Sequence, residues 1–218
     1  MKRLRTAATR SADRRVLRTR GLLHEALFRL IREREYHRIS VGLILERANV
    51  GRSTFYTHFR DKEALFASAV QEMLESVRPV KETIPTQPTE RVVGFALPLF
   101  EHIERHRNAG GARMGQRGRA ALHEHVRRIL ARWIAEELHP DSRSHGNSTD
   151  RIPSDLLSQY VASTFVLVLD WWVDSKCVPS SNEADALFRS LVLPAIGRRS
   201  MVENRGRASS AMQRKSEP

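Results

Sequence analysis

Cysteine is almost absent from this chain, which holds Cys177 and no other thiol in 218 residues. One cysteine excludes an intrachain disulfide and a zinc site built from several cysteines, so Cys177 is predicted to be a structural thiol in the reducing cytoplasm. Long hydrophobic runs are also missing. The nearest one, at 161–169, ends at Asp170 and is shorter than the ~18–20 residues that a membrane span requires. We therefore expect no membrane partner.

The amino-terminal residues 1–15 lack the apolar stretch of a secretory signal. Their Arg-rich, acid-poor composition is shared by organellar transit peptides and by basic arms that lie beside DNA-binding units. The second interpretation is preferred because positive charge continues beyond this segment.

Positive charge is unevenly distributed along the chain, whose net charge is +12. Residues 1–62 hold 16 Lys and Arg against 6 Asp and Glu, a balance of +10. Residues 63–197 hold 15 against 17, a balance of −2, and residues 198–218 hold 6 against 2. A basic segment ahead of a near-neutral body is typical of polyanion binding, and a solubility-conferring surface is the alternative.

Apolar residues recur at three- and four-residue spacings, which predicts an all-α protein of about nine helices with no strand. Asp61 is a candidate N-cap for the fourth helix. A fifth helix is expected to begin at Thr89 and to kink at Pro98, and the last helix is expected to end at Pro194 and Gly197. The predicted domains are a basic disordered arm at 1–14, a three-helix helix-turn-helix DNA-binding domain at 15–78, a helical effector-binding and dimerisation domain at 79–197, and a disordered basic tail at 198–218.

Residues 40–66 carry the pattern of two short helices joined by a tight turn. Ser40 is a good N-cap for the first of them, and Asn49 tolerates the left-handed conformation that ends it. Gly51 lets the chain turn again. In the following helix Phe55 and Phe59 are four residues apart and share one inward face. The hydroxyls and cations between them are then left to face outward, as a helix in a DNA groove requires.

The segment VGRSTFYTHFRDKE at 50–63, with Arg-Thr-Arg at 18–20 and Ile-Ser-Val at 39–41, resembles the DNA-binding domain of TetR-family transcriptional regulators. The resemblance covers residues 15–66. It implies a cytoplasmic, nucleoid-associated homodimeric repressor that binds a palindromic double-stranded DNA operator through the major groove and is released by a small-molecule effector. Residues 155–196, which include Trp171 and Trp172, resemble the subgroup that controls dihydroxyacetone kinase genes.

The residues predicted to contact DNA lie on or beside the second helix of the motif. Tyr56, His58 and Lys62 are expected to donate to phosphate oxygens and so to position the protein. Sequence reading is expected from one to three side chains, such as those of Arg52, Thr54 and Thr57. The full predicted set is Ser40, Arg52, Ser53, Thr54, Tyr56, Thr57, His58 and Lys62.

The helix predicted at 156–173 is apolar almost all the way round, which requires cover on more than one side. A four-helix interface with a second copy is the preferred interpretation, and a single buried core helix is the alternative. An effector pocket is expected among the fifth to eighth helices, although core packing is the other role for each candidate. These candidates are Phe95, Phe100, Met114, Trp133 and Phe165.

Two other classes of function remain to be weighed. An enzyme or metal protein is suggested by His102 and His106, four residues apart, and by the His-Glu-His run at 123–125. Neither group has the third ligand or the His-Glu-x-x-His spacing of a metal site, so we expect no catalytic residue, metal or cofactor. The second alternative is a co-activator or adaptor of the same fold that recruits a protein partner instead of sensing a small ligand.

Overall fold

The structure is a computed structural model that describes residues 2–79, 87–107, 114–138, 152–175 and 179–214. These residues contain helices and turns and no strand, which confirms the predicted all-α class. The helices are α1 (Lys2–Glu33), a short 3-10 helix (Tyr36–Arg38), α2 (Val41–Ala48), α3 (Arg52–His58), α4 (Lys62–Val77), α5 (Pro88–Val93), α6 (Ala96–Arg107), α7 (Gly115–Leu138), α8 (Ser154–Asp174) and α9 (Ser181–Arg214).

The chain divides into two compact units. The first unit contains residues 1–73 and 107–125, and the second contains residues 74–106 and 126–218. The three boundaries between them fall inside α4, at the last residue of α6 and inside α7, so the units do not follow the predicted boundary at residue 78. The predicted domain limits are assignments of function and stay predictions.

The first unit is built around the apolar stripe of α1. Leu23, Leu27 and Leu30 lie at three- and four-residue spacings and are fully buried. Arg47 of α2 donates to both carboxylate oxygens of Glu33 at the end of α1, at 2.6 and 2.8 Å. The paired geometry supplies orientation in addition to attraction, so it sets the direction in which α2 leaves α1.

Helix α4 is joined to α1 by two polar contacts. Arg20 donates to the hydroxyl of Ser68 at 2.7 Å, and the Nδ1 atom of His24 lies 3.1 Å from a carboxylate oxygen of Glu72. Burial lowers the pKa of His24, while the Glu72 carboxylate opposes that shift. The imidazole is therefore neutral at neutral pH, and its contact with Glu72 is a hydrogen bond that Nδ1–H donates.

Local capping residues end and begin the helices of the motif as the sequence predicts. The Ser40 hydroxyl oxygen accepts from the backbone N–H of Leu43 at 3.3 Å. Asn49 has left-handed backbone angles of φ 51° and ψ 48° at the end of α2. Asp61 accepts from the backbone N–H of Ala64 at 2.6 Å. These three caps confirm the predicted starts of α2 and α4 and the predicted end of α2.

Aromatic side chains fill the core of the second unit. Phe165 of α8 lies between Phe100 and Phe188, with ring centroids at 4.8 and 5.6 Å. Trp172 meets the Phe100 ring edge to face at 5.4 Å, and its Nε1–H donates to the carbonyl of Pro179 at 2.7 Å. Helices α8 and α9 pack against each other around this cluster. One side of α8 is therefore a core face.

Among the described residues, α8 has the length and apolar composition of a membrane-crossing helix. The sequence argument from uninterrupted runs missed this, because Asp170 breaks the run although the helix as a whole stays strongly apolar. Half of this apolar stretch is buried inside the fold. The helix therefore fits its place in the aromatic core.

Two proline predictions differ from the structure. The expected kinked helix is two helices, α5 and α6, separated at Gly94 and Phe95. Pro98 lies in the first turn of α6, where its missing N–H has no intrahelical partner to lose. Helix α9 continues through Pro194. Because Val192 and Ile196 on either side are buried, packing outweighs the one backbone bond that proline removes.

The two ends of the chain also differ from the expected disorder. The backbone is helical from Lys2, within the arm at 1–14, and as far as Arg214, within the tail at 198–218. Alanine and arginine recur in both segments, and both favour helix. Cys177 and residues 80–86 lie outside the described residues.

Helix α7 approaches the 3-10 helix closely within the first unit. The backbone N–H of Tyr36 donates to the carbonyl of Met114 at 3.4 Å. A Cβ atom added at Gly118 would lie 2.8 Å from the Tyr36 Cβ and 3.2 Å from the Met114 Cβ. Real Cβ atoms do not approach so closely, so Gly118 is required by the contact with Tyr36.

We expect Gly118→Ala to destabilise the protein by about 1–3 kcal/mol, because overpacking outweighs the gain in helix propensity. Gly21→Ala in α1 is the matched control, since nothing lies within 4 Å of its added Cβ. The control should stabilise the protein by about 0.5–1 kcal/mol. Urea unfolding followed by circular dichroism measures both changes. Equal stabilisation by the two substitutions would show that the Tyr36–Gly118 contact is not tight.

Candidate nucleic-acid interface

Helix α3 is oriented by its two phenylalanines. The Phe55 side chain is fully buried and Phe59 is 6% exposed, and their ring centroids are 5.9 Å apart. On the α1 side, the Phe59 ring lies 5.9 Å from the His24 ring and 5.6 Å from the Arg20 guanidinium. With this face held against α1, the opposite face of α3 is turned to solvent.

The solvent face of α3 carries most of the residues predicted to contact DNA. Tyr56 is 52% exposed, and its ring packs edge to face on Phe55 at 5.3 Å. His58 is half-buried at the end of the helix. Arg52 makes no ion pair within the described residues, so its guanidinium is available to an outside partner. The exposed members of the set on α3 are Arg52, Ser53, Thr54, Tyr56 and Thr57.

Two hydroxyls in the predicted set differ in the hydrogen-bonding groups that remain available to DNA. The Thr57 hydroxyl donates to the carbonyl of Ser53 at 3.0 Å, so in this geometry Thr57 presents a methyl group and acceptor lone pairs. The Ser40 hydroxyl accepts from Leu43 and keeps its O–H proton for an outside acceptor. Thr57 is thus suited to an apolar or donor-bearing base edge, and Ser40 to a phosphate.

The ammonium group of Lys62 contacts backbone carbonyls and does not extend into open solvent. Its Nζ atom donates to the carbonyls of Tyr36 at 3.0 Å and Ile39 at 2.9 Å. It also lies 4.2 Å from the centroid of the Tyr36 ring. These contacts belong to the segment that leads into Ser40. Sequence reasoning expected a phosphate donor here and did not foresee the intramolecular partners.

Tyr36 was missed by sequence reasoning, which gave it no role. Its side chain is 6% exposed, and its ring packs on Phe66 at 4.9 Å. Burial raises the pKa of the Tyr36 phenol, and the carboxylates of Glu63 and Asp61 add to the shift. The ring therefore stays neutral. The sequence signal that could have indicated its burial is an aromatic residue inside an otherwise charged segment.

The effector-pocket candidates do not form one group. Phe95, Phe100 and Phe165 lie together in the aromatic core of the second unit, with the Phe95 and Phe165 rings at 5.3 Å. Trp133 is buried in the same unit, and its Nε1–H has no hydrogen-bond partner within the described residues. Met114 belongs to the first unit. The structure therefore separates Met114 from the other four.

The described part of the second unit contains a small cavity and an open groove. A cavity of about 30 Å³ is bordered by both Trp133 and Phe95, and it has room for about one water molecule. Its other lining residues are Arg78, Pro79, Arg91, Val92, Ile134 and Glu137. An open groove of about 530 Å³ lies between α7 and α8. Arg128, Arg132, Asp155 and Gln159 contribute polar groups to its walls.

The histidine groups named in the sequence take part in packing contacts. The His102 and His106 rings stack with centroids 4.2 Å apart, and Nδ1 of His106 lies 2.7 Å from the carbonyl of His102. His125 meets the ring of Phe66 at 5.8 Å. Among the described residues, no three His, Cys, Asp or Glu side chains are close enough to hold a metal ion.

Comparison with known proteins bears on this arrangement. Residues 23–69 match the family model of bacterial regulatory proteins of the tetR family. Over 60 residues the chain is 38% identical to an uncharacterized HTH-type transcriptional regulator, YxbF, of Bacillus subtilis (strain 168). That stretch is 27% of this chain and 16% of YxbF, so the likeness spans about a sixth of that relative.

Two solved structures share the fold more widely. A TetR transcriptional regulator from Streptococcus agalactiae 2603V has a TM-score of 0.53 and 22% identity, covering 84% of this chain and 98% of the other. RolR, solved in complex with resorcinol, has a TM-score of 0.54 and 22% identity, covering 86% and 94%. At this identity the likeness concerns the fold alone. The helix-turn-helix of α2 and α3 lies within the segment that matches this family model, so the amino-terminal part of the chain is similar to bacterial regulatory proteins of the tetR family.

Proposed function

We propose that this chain is a cytoplasmic, non-enzymatic transcriptional regulator, which acts as a homodimeric repressor on a palindromic operator and is released by a small-molecule effector. The observation that best supports DNA binding is the orientation of α3. Phe55 and Phe59 are buried, while Arg52 and Tyr56 are exposed. A short helix held in this way presents cationic and hydroxyl groups to a DNA groove. The basic charge of residues 1–62 supports the same partner.

The exposed groups divide into two roles on DNA. Tyr56, His58 and Ser40 carry N–H or O–H donors at the edges of the motif and bind phosphate oxygens. Arg52 at the start of α3 reads base edges, since a guanidinium pairs with the two acceptors of guanine. Ser53, Thr54 and Thr57 line the same face and supplement that reading. We assign DNA binding to residues 15–78 and effector binding and dimerisation to residues 79–197.

A second copy of this chain is the proposed occupant of an apolar face on α8 and α9. Large apolar side chains on the two helices are between 37% and 66% exposed. The Tyr160 hydroxyl donates to the carbonyl of Leu191 at 2.9 Å, which joins the two rows. The rows consist of Leu156, Tyr160, Leu167 and Trp171 on α8 and Leu187 and Leu191 on α9. Such a patch favours burial in an interface.

A two-fold pair of copies also suits the proposed operator. The same face on each subunit would meet its symmetry mate, so four helices would form the interface. Two reading helices related by a two-fold axis enter successive major grooves when they lie about 34–36 Å apart. Palindromic DNA has the matching symmetry. The dimer is thus part of the recognition mechanism as well as of stability.

Arg52→Ala should change which DNA sequences are bound, whereas Tyr56→Phe should weaken binding to all sequences alike. The reason is that a lost base contact costs about 1–3 kcal/mol only at the base it reads. Selection of bound genomic fragments, followed by gel-shift titration, measures both effects. Tyr36→Phe is the control, because that hydroxyl is buried and has no hydrogen-bond partner among the residues that the structure describes. Unchanged preference and affinity in both test variants would refute the groove assignment.

Leu167→Asp should convert the dimer into monomers, because it places a charge at the centre of the proposed interface. Leu167 is 66% exposed in the single chain, so the folded subunit should tolerate the change. Sedimentation velocity measures the oligomeric state. Leu17→Asp on α1 is the control, since Leu17 is 68% exposed and lies outside this face. Wild-type protein that is monomeric at micromolar concentration would contradict the proposal.

The effector is proposed to bind in the second unit, where the cavity beside Trp133 offers an Nε1–H donor that has no partner in the part of the chain that the structure describes. Saturating the protein at a hundredfold excess over the dissociation constant should stabilise it by about 2.7 kcal/mol. Thermal unfolding against a panel of small aromatic and aliphatic metabolites measures the shift. The small size of this cavity favours the alternative, an adaptor that recruits a protein partner. No shift across the panel would select the adaptor.

A further inference from the structure

The open groove between α7 and α8 is large enough for a small metabolite, and it has no role in the proposed DNA binding, dimerisation or effector binding. Its volume of about 530 Å³ lies within the ~300–1,000 Å³ of typical ligand pockets. It shares no lining residue with the cavity beside Trp133. The groove is therefore a separate feature of the second unit, and charged groups lie on both of its walls.

The α7 wall of the groove supplies positive charge. Arg128 and Arg132 line it and are four residues apart, so they are neighbours on one face of the helix. Both side chains are exposed. Arg132 makes no hydrogen bond or ion pair with another residue that the structure describes, so its N–H donors are available to a ligand. Ala131 and Ala135 line the same wall, and their short side chains leave the space open.

The α8 wall supplies a carboxylate and an amide. Asp155 lies in the first turn of α8 and is exposed. The helix dipole stabilises a carboxylate at this position, and no described residue hydrogen-bonds to it or pairs with it, so its oxygens can accept from a cation. The Oε1 atom of Gln159 accepts from Nη1 of Arg127. The amide NH2 group of Gln159 therefore keeps its two donors for a ligand.

We propose that this groove binds an acidic amino acid, whose α-carboxylate pairs with Arg132 and whose ammonium pairs with Asp155. Arg132 and Asp155 line the same groove from different helices without forming an ion pair with each other, as a ligand between them requires. The inference goes beyond the proposed function and does not depend on it.

The charges of the walls define the class of ligand. A simple anion would meet the Asp155 carboxylate, and a simple cation would meet the guanidinium groups, so a ligand with one sign of charge is disfavoured. A zwitterion satisfies both walls, and a guanidinium binds a carboxylate through two parallel hydrogen bonds. Arg128 has five N–H donors, so it can serve a ligand as well as a partner within the chain. Together with the Gln159 amide, it favours a second carboxylate on the ligand.

Isothermal titration calorimetry of the full chain with L-glutamate and L-aspartate tests the proposal, and two analogues separate the contacts. Glutarate lacks the ammonium of glutamate, and 4-aminobutanoate lacks its α-carboxylate. Each analogue should bind about ten- to a hundredfold more weakly than glutamate, because it loses hydrogen bonds to a charged group. The proposal is wrong if neither amino acid binds at millimolar concentration, or if either analogue binds as tightly as glutamate.

Two variants assign the contacts to the two walls. Arg132→Gln should remove the advantage of glutamate over 4-aminobutanoate, whereas Asp155→Asn should remove its advantage over glutarate. A variant that only disturbed the fold would weaken all three compounds alike. Arg117→Gln is the control for a lost charge on α7, because Arg117 is exposed and does not line the groove. This control should leave the binding of all three compounds unchanged.

The variants also decide whether the amino acid binds at this place. If both advantages persist in the variants, the ligand binds elsewhere and the assignment to this groove is refuted. Both substituted side chains are exposed, so both variants should fold, which circular dichroism checks. If one of them does not fold, the other decides alone: an advantage that is lost supports the proposal, and one that is unchanged overturns it.

Discussion

The burial of Phe55 and Phe59 is the constraint on which the exposed polar face of α3 depends. A helix as short as α3 has too few turns to be stable alone, so it exists because these rings are removed from water. The contact of Phe59 with α1, together with the burial of Phe55, also sets the rotation of α3 about its own axis. Once the rotation is set, the intervening polar residues have only solvent or a partner to face. The exposed polar face of α3, which we propose binds DNA, is thus a consequence of the core.

The backbone around α2 is governed by hydrogen-bond satisfaction. Every helix end leaves N–H or C=O groups without helical partners, and here nearby residues supply them. Ser40 and Asp61 cap with side-chain oxygens, and Asn49 adopts the left-handed angles that close α2. Lys62 serves the carbonyls of residues 36 and 39 from a distance in sequence. The geometry of the motif is therefore specified by polar contacts as well as by apolar packing.

In the second unit, the same helices contribute side chains both to the core and to the exposed surface. Helix α8 buries Phe165 and Trp172 in the aromatic core, while Leu167 and Trp171 remain exposed. This explains why α8 is apolar almost all the way round. The sequence pattern alone could not divide its residues between core and interface, because both faces need the same residue types. The structure assigns the inner face, and the exposed face is the basis of the proposed dimer.

Local patterns carried much of the prediction. Helical periodicity, together with the caps at Ser40, Asn49 and Asp61, was enough to place the helix-turn-helix, because capping and turning involve residues a few positions apart. The capping box at the start of α9 is of the same kind: Ser180 N–H donates to Glu183, and Glu183 N–H donates to the Ser180 hydroxyl. Such contacts form within one turn and leave a readable signature.

What the amino-acid sequence by itself determined was the all-helical class, the position of the motif and the outward face of α3. Only the tertiary structure decided the partners of Lys62, the break between α5 and α6 and the separation of Met114 from Phe95 and Phe165. The partners of Lys62 lie 23 and 26 residues away, and Tyr36 meets Gly118 across a still longer separation. Contacts of that range depend on how the helices pack, and no periodicity within one helix encodes them.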